Sequence, residues 1–119
     1  MRRIVCTTVA VAIATISANA EMATMGAGNE TCGEFAKIYQ TAKQHGEAYY
    51  FAWAQGFFSG ANSHAIANKG PTRDLSSLSI KQQQEFLRDY CDKHPRADYM
   101  AGVLALYMEF KRKDTQPGK

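Results

Sequence analysis

The side chains best suited to covalent, metal or acid–base chemistry are three cysteines, three histidines and 11 carboxylates. His45, His64 and His94 fall on different expected elements at no ligand spacing, so no metal site and no cofactor are expected. His94 reads as a turn or cap residue, and His64 as a helix-surface residue. No serine sits in a nucleophile-elbow pattern, and no glycine-rich phosphate loop follows a strand. Among Glu34, Glu47, Glu85, Asp89, Asp92, Asp98 and Glu109, the acids Glu85 and Asp89 stand four apart on one helix, a spacing that could pair them for proton transfer. A solvated helix face has the same spacing, and that is the favoured reading. With no catalytic constellation to name, the chain is not expected to be an enzyme.

The cysteines are more informative. Met1-Arg2-Arg3 is a basic start, residues 4–16 are apolar but too short to span a bilayer, and Ser17-Ala18-Asn19-Ala20 ends in small residues. This is the pattern of a secretory signal peptide over 1–20, cleaved between Ala20 and Glu21. Cys6 lies near the start of the apolar stretch rather than at its end, which argues against a lipoprotein. Cys6 leaves with the signal, and Cys32 and Cys91 remain as an even pair in an exported chain, where a disulfide is the default. Closing a loop of about 60 residues contributes about 4 kcal/mol in the chain-entropy model. The implied compartment is the periplasm, with no membrane association after cleavage.

Removing 20 of the 119 residues leaves 99, one domain. Lys and Arg then number 12 against 11 acids, and no face is basic enough for nucleic acid. Lys111-Arg112-Lys113 reads as the end of a last helix, complementing its dipole. Residues 21–30 and 113–119 lack pattern and are expected to be loose, leaving a helical domain over 31–112.

The elements follow from caps and periodicity. Thr31-Cys32-Gly33-Glu34 is a capping box that opens a first helix, with Phe35, Ile38 and Tyr39 on one face. This helix is expected to stop at His45-Gly46, with Gly46 as a left-handed cap. A second helix covers 47–67 and ends before Gly70-Pro71. Residues 72–78 form a loop in which Leu75 and Leu78 pin the chain to the core. Ser79-Ile80-Lys81-Gln82 is a second capping box, opening a third helix over 80–93 with Ile80, Phe86, Leu87, Tyr90 and Cys91 inward. Pro95 starts a fourth helix that reaches 111, with Tyr99, Val103, Leu106, Tyr107 and Phe110 on one face. No strand pattern stands out. The fold class is all-α, a small four-helix domain with one disulfide.

The second helix carries two unusual patterns. Tyr49, Tyr50, Phe51, Trp53, Phe57 and Phe58 are too contiguous for all of them to face one core, so part of the cluster is either packed on a second side or forms an interface. Ala52, Gly56 and Gly60 form a small-residue stripe. Each helical glycine costs about 1 kcal/mol against alanine, a cost that close approach of another helix would offset, within the fold or across a dimer.

The phrases Thr31-Cys32-Gly33-Glu34-Phe35 and Tyr90-Cys91-Asp92-Lys93-His94-Pro95 resemble the HdeA/HdeB family of periplasmic acid-stress chaperones. The resemblance spans about residues 31–110, and the two cysteine phrases are its specific part. The separation of Cys32 and Cys91 is longer than usual for that family, with the excess around 62–78, and Gly56 and Gly60 are not part of its pattern. The resemblance implies a homodimer that loosens in acid and holds unfolding client proteins. Protonated carboxylates and charged histidines would take the mature chain to roughly +15, and self-repulsion would loosen it. Trp53, Phe57, Phe58, Val103 and Tyr107 are the residues expected to supply the client surface.

A second resemblance runs through residues 50–60 and the His94-Pro95 phrase with the Ala- and Leu-rich helix after it. These are similar to a periplasmic immunity family that neutralises type VI secretion effectors, which would make the partner a protein toxin. Those proteins carry further cysteines around this helix and this chain has none there, so that reading ranks second.

Overall fold

The computed structural model of the chain describes residues 24–114, and the expected signal peptide lies outside them. Four helices form the domain: α1 (Cys32–Thr41), α2 (Lys43–Ala67), α3 (Ile80–Lys93) and α4 (Tyr99–Glu109). A 3-10 turn, Gly26–Asn29, precedes them, and two three-residue strands, β1 (Thr72–Asp74) and β2 (Lys111–Lys113), pair antiparallel. The all-helical class holds, with this one small hairpin added.

Both capping boxes form. The Thr31 N–H donates to Glu34 Oε2 at 2.7 Å, and the Glu34 N–H donates to Thr31 Oγ1 at 3.2 Å. Ser79 and Gln82 repeat the exchange at 2.8 and 3.2 Å at the head of α3. His94 caps α3 and stacks on Tyr90, with ring centroids 4.4 Å apart.

Cys32 and Cys91 are disulfide-bonded, with Cα atoms 4.7 Å apart and a sequence separation of 59. The bond joins the first residue of α1 to the last turn of α3. Around it the chain segments run side by side. The Cys32 N–H donates to the Ala97 carbonyl at 2.8 Å, the Gly33 N–H to that of Pro95 at 2.9 Å, and the Tyr99 N–H to that of Glu30 at 2.7 Å. The core is Phe35, Tyr50, Phe51, Ala54, Phe58, Leu87, Tyr99, Val103, Leu106 and Phe110, closed by the disulfide. Ile80, expected inward, is 52% exposed, as the first residue of α3 directly after its cap.

The helix boundaries differ from expectation in three places, one of them the fourth helix, which begins at Tyr99 after a turn and not at Pro95. The first helix breaks at Ala42, four residues before Gly46, and α2 begins at Lys43. Gly46 is therefore helical and caps nothing. Its role is close approach: a Cβ there would lie 1.9 Å from Ile38 Cγ2, so α1 and α2 cross on bare backbone. The fourth helix ends at Glu109 instead of 111, and Lys111-Arg112-Lys113 pairs with β1. The cap for α4 comes from β1, since Arg73 Nη1 donates to the carbonyls of Met108 and Phe110 at 3.2 and 3.0 Å. Asn62 in turn holds Arg73, exchanging hydrogen bonds with its backbone N–H and carbonyl at 2.9 and 2.8 Å. Tyr107 donates its hydroxyl proton to the same Asn62 Oδ1 at 2.9 Å.

The glycine stripe is corrected as well. A Cβ at Gly56 or Gly60 would meet nothing within 4 Å among the described residues, so none of the four helices packs there. Ala52, Gly56 and Gly60 are all exposed. The close helix approach occurs elsewhere, at Gly102, where a Cβ would lie 2.8 Å from the Tyr90 ring. Three single variants test this assignment by urea unfolding. Gly46→Ala is expected to destabilise by about 1–3 kcal/mol through overpacking. Gly56→Ala and Gly60→Ala are each expected to stabilise by up to about 1 kcal/mol, because helix propensity acts there with no clash against it.

Candidate functional site

The five residues expected to supply a client surface come together in one aromatic layer between α2 and α4. Trp53 stacks on Phe57 with centroids 5.9 Å apart, and Phe57 meets Tyr107 edge-on at 6.3 Å. Phe58 stacks on Tyr107 at 6.1 Å and abuts Phe110 at 5.1 Å. Phe58 and Val103 are wholly buried, whereas Trp53, Phe57 and Tyr107 are half-buried. The layer is thus part of the folded core, and only its outer rim can meet another molecule without rearrangement.

The 3-10 turn covers the Trp53 end of the layer. Sequence reading placed residues 21–30 in a loose segment, but Ala27 is fully buried and Gly28 lies directly under the indole. The indole N–H donates to the Met25 carbonyl at 2.9 Å. The Tyr50 hydroxyl donates to the Glu30 carboxylate. Burial, then that hydrogen bond, pushes the Tyr50 hydroxyl far above the usual phenol range. The buried Tyr99 hydroxyl, which has no hydrogen-bond partner among the described residues, is also raised, by burial first and then by Glu47 and Tyr50.

Beneath the layer, Glu47 on α2 and Arg88 on α3 form a two-bond ion pair. Arg88 Nε donates to Glu47 Oε1 at 2.6 Å, and Nη2 donates to Oε2. The side chains are 10% and 28% exposed, so water screens them little. Arg88 also lies over the Tyr39 ring at 4.8 Å, and its hydrogen bonds to Glu47 raise its pKa further. Sequence reading counted Glu47 among the available acids without giving it this role. The signal was present: Glu47 is the one formally charged residue between Lys43 and Lys69, and an isolated acid on an apolar helix needs a buried partner.

Two carboxylates hold local structure at the surface. Thr31, through its backbone N–H and then its hydroxyl, keeps the Glu34 carboxyl below its ordinary range. The hydroxyl and backbone N–H of Ser76 do the same for Asp74, with help from Lys113. Glu85 and Asp89, weighed above for proton transfer, are instead each paired with a lysine one turn away, Lys81 at 3.7 Å and Lys93 at 2.7 Å. Among the described residues no three His, Cys, Asp or Glu side chains gather as metal ligands, and no helix is long and apolar enough to cross a membrane.

No family model matches this chain, and neither does any curated protein or solved structure. Arguments about function therefore rest on the chain's own geometry.

The Glu47–Arg88 pair gives a direct test. Arg88→Ala leaves a buried carboxylate without its cation and is expected to cost about 3 kcal/mol in urea unfolding. Replacing both partners with apolar residues, as Glu47→Met with Arg88→Leu, should cost far less, because no buried charge is then left alone.

Proposed function

We propose that the chain is a non-catalytic periplasmic chaperone that holds unfolding clients when acid loosens its fold. One observation carries the reading: the aromatic layer of Trp53, Phe57, Phe58 and Tyr107 is closed at its Trp53 end by a short N-terminal turn, and carboxylates make several of the contacts that hold the surrounding elements. Glu30 ties the N-terminal turn to Tyr50, Glu47 ties α2 to α3, and Glu34 caps α1. Protonating Glu34 and Asp74, whose carboxyl pKa values the fold lowers, removes the stabilisation they give, while the Cys32–Cys91 bond keeps α1 and α3 joined and limits how far the chain opens. The freed layer would then offer apolar surface to a client. Export by the expected signal peptide, which the disulfide suits, places the protein in the compartment that acid reaches first.

One observation favours a second reading, a periplasmic immunity protein that occludes a toxin. The exposed face of α2 bearing Ala52, Gly56 and Gly60 is left open at both glycines among the described residues. Small residues there would let a partner helix, from a toxin or from a second copy in a homodimer, approach closely at neutral pH.

The two readings part on pH. The Glu34 and Asp74 pKa values are lower in the folded chain than in the unfolded one, so their stabilisation is complete above the ordinary carboxylate range. It is lost as pH falls through the folded values, below about pH 4. A reversible change in Trp53 fluorescence with apolar-dye binding is expected below that pH, together with suppressed aggregation of an acid-labile client. Trp53→Ser with Phe57→Ser should abolish the suppression, and Glu34→Gln should flatten part of the pH dependence of stability. A flat fluorescence trace from pH 7 to 2 would end the chaperone reading.

A further inference from the structure

Residues 24–30 have a composition fitted to one task. Gly26 takes a left-handed backbone conformation, with φ 69°, which turns the chain onto the α2–α4 groove. Ala27 is fully buried in that groove. Gly28 passes so close to Trp53 that a Cβ would lie 2.2 Å from the six-membered ring, so the position admits glycine alone. The Met25 carbonyl accepts the indole N–H at 2.9 Å, and the Glu30 carboxylate accepts the Tyr50 hydroxyl proton. The segment thus meets both polar edges of an aromatic groove and lays its two glycines against the ring between them.

Its own structure is slight. It is one four-residue 3-10 turn, with the Glu30 N–H reaching the Ala27 carbonyl at 3.2 Å. Such a turn has little stability apart from what it packs on. The groove beneath has its own support: Tyr50 and Tyr99 pack at 4.9 Å and both pack on Phe35, so it does not need the segment to hold its shape.

We infer that residues 24–30 form an autoinhibitory strap, a resident occupant of the groove around Trp53 that must leave before a client segment can enter. This rests on the chaperone reading and assigns its control to a named element. Lifting the strap bares Trp53 and frees the indole N–H and the Tyr50 hydroxyl as donors for the backbone and side-chain oxygens of an incoming extended segment. The Glu30 carbonyl, which accepts the Tyr99 N–H, stays in place as the hinge, so the helices and the disulfide need not move.

The test uses the oxidised protein at neutral pH and reads quenching of Trp53, the sole tryptophan, by acrylamide. Gly28→Val leaves no room for the strap against the indole. It is expected to raise the quenching constant severalfold with helical circular dichroism unchanged. Tyr50→Phe keeps the ring in the core and removes only the bond to Glu30. It should give a smaller rise, and it decides the matter if Gly28→Val loses helicity. Parental quenching in a helical Gly28→Val protein, or in Tyr50→Phe where that variant decides, would overturn the strap. Client aggregation is measured in parallel. Bared Trp53 with client holding at neutral pH supports both the strap and the chaperone reading. Bared Trp53 without client holding supports the strap as a cover and overturns the chaperone function it would control.

Discussion

The Cys32–Cys91 bond is the constraint on which the other contacts depend. It ties the head of α1 to the tail of α3 at one point, and the chain on either side of each cysteine is then held in register. Residues 30–33 lie along 95–99 through three backbone hydrogen bonds. That short seam sets where α4 begins, and it brings Glu30 within reach of Tyr50. Tyr99, the first residue of α4, is held there against Phe35 and Tyr50 at the centre of the core. A fold of this size has a modest hydrophobic core, so a crosslink that organises four segments at once carries unusual weight.

The two polar contacts inside the apolar region have a different character. Glu47 and Arg88 bond through both carboxylate oxygens, and Tyr39 covers the guanidinium. A pair of this kind adds little net stability, but it strongly disfavours any arrangement in which the two partners are apart. It therefore fixes how α2 sits against α3. Tyr99 shows the opposite case, a buried hydroxyl with no partner, which charges the fold a polar-burial penalty that the ring packing around it offsets.

Features with local causes were legible in the sequence. The two capping boxes, the cap at His94, the end of α2 near Gly70 and the cysteine pairing all follow from residues within a turn of the event, or from counting. Features with distant causes were not. Ala42 breaks the first helix without any turn residue to mark it, because the break is set by α1 and α2 crossing at Ile38 and Gly46. Glycine roles were hard to read because a glycine in sequence looks the same whether a neighbour presses on it, as at Gly46 and Gly102, or nothing among the described residues does, as at Gly56. The β1–β2 hairpin pairs residues almost forty positions apart in strands of three, too short to show alternation. The aromatic layer was legible as a group, since its members repeat along α2 and α4. Its cover was not, because a run of small residues ahead of a cap has no periodicity to read.

Arg73 has a consequence beyond capping. One guanidinium and its backbone join β1, the end of α4, Asn62 of α2 and the ring of Tyr107. The three exposed basic residues of β2 hang from that same junction. A trypsin-like protease needs its substrate as a free extended strand, and Lys111-Arg112-Lys113 is withheld in that form only while it pairs with β1. Susceptibility to nicking at this tribasic run is thus coupled to the integrity of the Arg73 junction between α2 and α4, and a protease would sense the state of that junction from the surface.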